Sequence, residues 1–256
     1  MSHICGLTKL QELCLTSTRI TDAGLLHIGR LTQLQTLSFY STKITDEGLR
    51  HIVPLAQLRR LQLSYNPRIT DASLIHIEQL TKLEHLSLDA TSVTNTGLVH
   101  IGGLTTLQSL DLAHTKVSSG GLAYLAGLSQ LKSLVLGETG IGDSGLEYIV
   151  RLSQLQSLGV FRTKITDAGL VPISRLIQLK RLTLYETAIT DAGLLHIAKL
   201  PHLEWLVLSK TKITDAGLVN FEGLTSLRML ALGNTKVTDA GVKKLQQALP
   251  NCQITR

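Results

Sequence analysis

The sequence predicts an α/β solenoid: one curved stack of strand–loop–helix units, with a parallel sheet on its concave face and short helices on its convex face. Three observations carry this. One string recurs ten times, starting at Leu10, Leu34, Leu58, Leu83, Leu107, Leu131, Leu155, Leu179, Leu203 and Leu227. Its period is 24 residues except for the 25-residue step from Leu58 to Leu83, and a fixed period of this length is the mark of stacked repeats. Leucine supplies 52 of the 256 residues, against Trp 1, Tyr 5 and Phe 3, so the core is built from one aliphatic side chain placed at regular intervals. Finally, a unit of 24 residues cannot bury its own apolar stripe, and stacking on neighbours does it.

Each unit opens with a strand. In Leu10-Gln11-Glu12-Leu13-Cys14-Leu15 the leucines alternate with variable residues, as in a strand buried on one face. A loop follows, with a hydroxyl column at Thr18, Thr42, Thr91, Thr115, Thr139, Thr163, Thr187, Thr211 and Thr235, broken by Asn66. Threonine donates and accepts, so a hydrogen-bonded ladder between loops is feasible there. Next comes a helix-start signal: Asp22, Asp46, Asp71, Asn95, Ser119, Asp143, Asp167, Asp191, Asp215 and Asp239 share one position. All of them are residues that cap helix N-termini, which makes these aspartates poor catalytic candidates. The helix itself is short, with Leu25, Ile28 and Leu31 spaced three apart on its inward side. Helices pack about 8–10 Å apart and paired strands about 4.8 Å apart, so the stack must bend with the sheet inside.

The recurring Ile-Thr-Asp-x-Gly-Leu string (Ile20–Leu25, Ile44–Leu49, Ile165–Leu170, Ile189–Leu194, Ile213–Leu218) resembles the leucine-rich-repeat family over nearly the whole chain. It is similar to the subclass that includes the substrate arms of F-box ubiquitin ligases, the bacterial GALA effectors and bacterial proteins made only of repeats. One departure is consistent: that family often places Asn or Cys where this chain has threonine. The resemblance implies a single horseshoe domain over 1–256 that binds a protein or peptide. One concrete version is the recognition arm of a ubiquitin-ligase adaptor or bacterial effector, although no F-box segment is present.

The two ends differ. Residues 1–9 align with the second half of a unit, so they read as a partial preceding repeat without a cap. Solenoids need polar end caps; the open end is therefore expected to be joined to missing residues, to a partner or to a second copy by self-association. Residues 249–256 begin one further strand register as a C-terminal partial repeat.

Composition narrows the class. No run of 18 apolar residues occurs, so a membrane-spanning helix is not expected. Cys5, Cys14 and Cys252 form neither a disulfide framework nor a zinc pattern. With no secretory start in the opening residues, the expected compartment is reducing and cytoplasmic. A net charge of +6 mildly favours an acidic partner surface.

No catalytic constellation stands out, and no metal or cofactor is expected. His3, His27, His51, His76, His100 and His196 share one helix position, but Tyr124, Tyr148, Pro172, Asn220 and Lys244 fill it in other repeats. A metal row would not tolerate Pro and Lys, so repeat duplication explains the column. Arg19, Lys43, Arg68, Lys116, Lys164, Lys212 and Lys236 form a basic rim. Nucleic-acid binding would pair such a rim with stacking aromatics; neutralisation by the nearby aspartates is the simpler expectation, and nucleic acid is disfavoured.

The informative residues are those that the repeat leaves variable. The third, fifth, seventh and eighth strand positions point away from the core. There the last four repeats carry Phe161, Arg162, Arg181, Tyr185, Trp205, Val207 and Met229, and a smaller group comprises Tyr40, Arg60, Tyr65, Arg68, His85 and Asp89. Exposed aromatics, Met and Arg are the types enriched at protein interfaces. The expected function is thus a non-enzymatic interaction scaffold binding on its concave face. The bland alternatives are that these side chains merely pack on one another across strands, or that the chain is a structural spacer.

Overall fold

A computed structural model describes residues 6–256. The first five, including His3 and Cys5, lie outside the described residues. Eleven strands of three residues, from Glu12–Cys14 to Gln253–Thr255, form one open parallel sheet in strict sequence order. Register is constant: each third-position residue pairs with the third-position residue of the next repeat, as Arg181 with Trp205 and Trp205 with Met229. A shift by one residue would turn the leucines out of the core.

Between strands the chain runs through short helices such as Asp22–Ile28, Asp167–Ile173 and Asp191–Ile197. Some end or run entirely as 3-10 turns, as at Arg50–Ile52 and Ser119–Gly127. The core between the layers is continuous. Leu25, Ile28, Leu31, Leu34, Leu37 and their equivalents are essentially inaccessible, and Phe39 and Phe221 are the aromatic rings fully inside. Leu31 lies beyond the helix that its spacing suggested, yet is equally buried.

Two sequence expectations need correction. The aspartates are not the helix caps. The residue before each one is: Thr190 has extended backbone and its hydroxyl accepts from Ala192 N–H at 3.3 Å, and Thr70, Thr166 and Thr214 do likewise. Each aspartate except Asp239, which pairs with Arg256, instead reaches into the loop of the next repeat. Asp22 accepts from the backbone N–H and hydroxyl of Thr45 at 2.8 and 2.7 Å, and the same pair of bonds joins Asp46 to Thr70, Asp143 to Thr166, Asp191 to Thr214 and Asp215 to Thr238. Asn95 and Ser119 continue the ladder to Ser118 and Gly142. The physical reason is stacking: an N1 side chain lies against the following repeat, whose loop N–H groups have no other acceptor. These bonds hold the Asp215 carboxyl below the ordinary carboxylate range, Thr238 being the main cause.

Conversely, the threonine column makes no ladder. Thr18, Thr91, Thr115, Thr139, Thr187 and Thr211 each donate to the carbonyl three residues earlier in their own repeat, at 2.6–2.7 Å. Among the described residues, repeats are bridged from this position only at Asn66, whose amide meets Thr42 and Phe39 of the repeat before.

The residue before this column has left-handed backbone in every repeat: Ser17, Ser41, Tyr65, Ala90, His114, Glu138, Arg162, Glu186, Lys210 and Asn234 all have φ between 50° and 60°. None is glycine, although this region costs a side chain roughly 1–2 kcal/mol. Ala90, with only a methyl group to lose, is the simplest test. Ala90→Gly is expected to raise stability by about 0.5–1 kcal/mol, the relieved strain exceeding the added freedom of the unfolded chain. A urea midpoint unchanged or lowered at constant slope would contradict this.

Candidate protein-binding face

The third, fifth and seventh strand positions form parallel rows across the sheet face, and the left-handed eighth residues form a ridge at its edge. The sequence-selected residues of the last repeats fall into two groups. Arg181, Trp205 and Met229 occupy adjacent places in the third-position row. The Arg181 guanidinium lies over the Trp205 ring at 5.6 Å, and the indole remains 43% exposed. Val207, half-buried two residues along the same strand, extends this group.

Phe161, Arg162 and Tyr185 belong to the second group, toward the ridge. The Phe161 ring covers Gly137 so closely that any Cβ there would overlap it, and its edge meets His114 at 6.4 Å. Phe161 is therefore partly explained by packing on its own sheet. Arg162 donates to Glu138 at 2.5 Å and to Glu186 at 2.9 Å, and lies 5.3 Å over the Tyr185 ring, which Lys210 approaches at 5.1 Å.

The ridge carries residues that sequence reasoning missed. His114 bonds Asp89 at 2.8 Å and approaches Glu138 at 3.3 Å; Glu138 and Glu186 both hold Arg162; Glu186 also meets Lys210 at 3.3 Å. His114, Glu138, Arg162, Glu186 and Lys210 thus form one line of contacts along consecutive repeats. Hydrogen bonding to Arg162 lowers the pKa of both carboxyls, and Tyr185 with Glu186 raises that of Lys210. The signal was present in the sequence as five consecutive eighth-position residues of mostly alternating charge. Also missed was a convex column, Leu26, Ile75, Val99, Val171, Leu195 and Val219, each about half-exposed.

The smaller group is divided. Tyr40 and Tyr65 pack ring to ring at 5.0 Å. Arg60 and His85 are paired neighbours lining a hollow of about 340 Å³ with Ser87, Ser109 and Asp111. Burial and the Arg60 charge lower the His85 pKa, while burial raises that of Asp111. Asp89 is drawn to His114, so it links this region to the ridge. Arg68 stands apart on the rim beside Pro67 and Lys43.

The basic rim is not neutralised as expected. Among the described residues Arg19, Lys43, Arg68, Lys116, Lys164, Lys212 and Lys236 have no carboxylate ion-pair partner, because the aspartates are committed to the threonines. No group of three or more potential metal ligands occurs among the described residues, nor a helix long and apolar enough to cross a membrane. Of the helix-column histidines, His100 bonds Glu78 at 2.6 Å and His196 Nδ1 is buried without a partner.

Two family models, both described as leucine rich repeat, match residues 177–237 and residues 6–29, 103–126 and 128–150. No curated protein matches the sequence. Among solved structures, a leucine-rich-repeat protein of Leptospira interrogans is similar with a TM-score of 0.68 at 22% identity, over 100% of this chain and 74% of that one. An internalin C2 of Listeria monocytogenes has a TM-score of 0.63 at 29% identity, over 86% of this chain and 84% of that one. A plant peptide hormone receptor, RGFR1 in complex with RGF2, has a TM-score of 0.63 at 17% identity, over 99% of this chain and 44% of the receptor.

Proposed function

The chain belongs to the leucine-rich-repeat family, and from that premise we propose that it is a non-enzymatic scaffold holding a protein or peptide against the C-terminal half of its concave sheet. The fold is commonly an interaction module, and a plant receptor of this fold was solved with a peptide hormone. The observation that carries the reading is Trp205. Its indole sits on the ninth of the eleven strands, 43% exposed, flanked by Arg181 and Met229. Phe161 has Gly137 to cover and Arg162 has two carboxylates to hold, but packing leaves nearly half of Trp205 uncovered. An exposed Trp beside Arg and Met is the composition of an interface hot spot.

The test compares the chain with a Phe161→Ala/Tyr185→Ala/Trp205→Ala variant in pull-downs, followed by titration of any purified partner. Circular dichroism checks that both stay folded, as expected for side chains outside the core. Affinity is expected to fall by about 30-fold or more, the scale of a hot spot worth at least about 2 kcal/mol. Identical partner profiles would favour a spacer instead.

A further inference from the structure

Beside Trp205, toward the start of the strands, the sheet face holds a hollow of about 440 Å³ lined by Lys132, Ser133, Gln156, Ser157, Lys180, Arg181 and Glu204. Three cations face one carboxylate. Among the described residues none of these four charges enters an ion pair. Several other charges on the sheet are matched, Arg59 with Glu84 and Arg162 with Glu138 and Glu186, whereas Arg60 and Arg228 stand singly and are not gathered with other cations in one hollow.

The hydroxyls follow the same division. In the N-terminal half, Ser38 donates to Gln62, and Ser64 bonds Ser87, which donates on to Asp111, so that hollow carries a carboxylate and most of its serines are bonded, Ser109 being the exception. Ser133 and Ser157, neighbours across the sheet, carry no side-chain hydrogen bond among the described residues. Lys132 is turned to Gln108 at 3.1 Å, and Lys180 is exposed.

From this we infer that the hollow seats an acidic side chain of an extended peptide, whose apolar residue rests on Trp205 and Met229. This deepens the proposed function and rests on it. Unpaired cations in a walled recess concentrate positive potential. A carboxylate entering it gains charge-assisted bonds from Lys180 and Arg181 and hydroxyl donors from Ser133 and Ser157. Spacing follows from the sheet. From Ser157 to Trp205 is two strand steps, about 9.6 Å at about 4.8 Å each. An extended chain of about 3.1 Å per residue with three residues per turn covers this in about three residues, with both side chains on one side. The recognised pattern is therefore Asp or Glu about three residues from an aromatic or aliphatic residue. A peptide is favoured over nucleic acid because the cations cluster in one recess beside a single Trp, without a row of stacking rings.

A random dodecapeptide phage library panned on the full chain supplies the probe, and selected peptides are then synthesised with a fluorophore and titrated. Asp or Glu is expected to be enriched about three residues from the apolar anchor. Replacing it by Asn or Gln should weaken binding about tenfold, as should Lys132→Gln/Lys180→Gln, with little further loss when the two changes are combined. Peptides that need Trp205, by its Ala variant, but show neither acidic enrichment nor sensitivity to the lysine pair would overturn the inference and leave the proposed function standing. Selected peptides indifferent to Trp205→Ala would overturn both. A labelled single-stranded oligonucleotide that binds more tightly than the selected peptides at physiological salt, and loses affinity with the lysine pair, would assign the recess to nucleic acid and overturn the inference.

Discussion

Gly193→Ala is expected to destabilise the protein by about 2–4 kcal/mol, the reverse of what helix propensity alone dictates. In an ordinary helix interior the change gains about 1 kcal/mol, because Gly is the less favourable residue. Here the new methyl would overlap Asp167 Oδ1 and come within 2.7 Å of Leu170 Cδ1. Asp167 is restrained, since its two oxygens hold the Thr190 N–H at 2.8 Å and the Thr190 hydroxyl at 2.5 Å; the repeat that carries Ser73 in this column has adjusted to a Cβ with both Asp46–Thr70 bonds kept, an adjustment the Gly193 repeat has not made. The glycine column and the aspartate ladder are thus one device: Gly48, Gly97, Gly169, Gly193, Gly217 and Gly241 each admit the carboxylate of the repeat before.

Coupling is the sharper test. Asp167→Ala should itself cost about 2–3 kcal/mol through loss of two hydrogen bonds to a charged acceptor. In that background the overlap with Oδ1 is gone, so Gly193→Ala should cost about 1 kcal/mol or less. Urea denaturation of the four proteins, compared at equal slope, is expected to give a coupling energy above about 1 kcal/mol. Strict additivity would mean that the close approach is relieved elsewhere and that the column serves another purpose.

What was legible in the sequence, and what was not, follows from the range of each interaction. The Leu-x-x-Leu-x-Leu strand and the apolar helix stripe were legible because each is a local pattern repeated in register. The role of Asp167 was not, because its partner Thr190 lies in the next repeat and a local reading finds only helix-capping chemistry. The left-handed residues were hidden for a different reason. Tyr65, Ala90, His114 and Arg162 carry no turn signature, and only the stacked loops impose the conformation on them.

The binding face was legible in part. Alternation put Arg181, Trp205 and Met229 on one face, and the register makes them neighbours. Selecting for aromatics also gathered Phe161, which has a packing partner in Gly137, and passed over Lys132 and Lys180, whose interest lies in standing without an ion pair in a hollow where cations outnumber carboxylates. That property belongs to the assembled surface, since it depends on which charges the stacking of repeats brings together.

The second large effect is expected at Asn66, where the repeat consensus itself should be the damaging residue. Asn66→Thr installs what every other repeat carries, yet should cost about 2–4 kcal/mol. Asn66 is 1% exposed, and its amide joins two repeats. Oδ1 accepts from the N–H and the hydroxyl of Thr42, both at 3.0 Å; Nδ2 donates to the carbonyls of Phe39 at 2.7 Å and Leu63 at 2.8 Å. A threonine reproduces only the bond within its own repeat, the one Thr115 makes to Leu112. Thr42 N–H then loses its acceptor and Phe39 C=O one of its donors, and each buried group left short costs about 1–3 kcal/mol. This is the one unit of 25 residues, with Pro67 and Arg68 following, so its loop needs a longer side chain to span the junction. Thr115→Ala, which removes one local bond, should cost only about 1 kcal/mol. If thermal and urea unfolding show the two variants equally affected, Asn66 is not bridging the repeats, and the extra residue is accommodated by backbone alone.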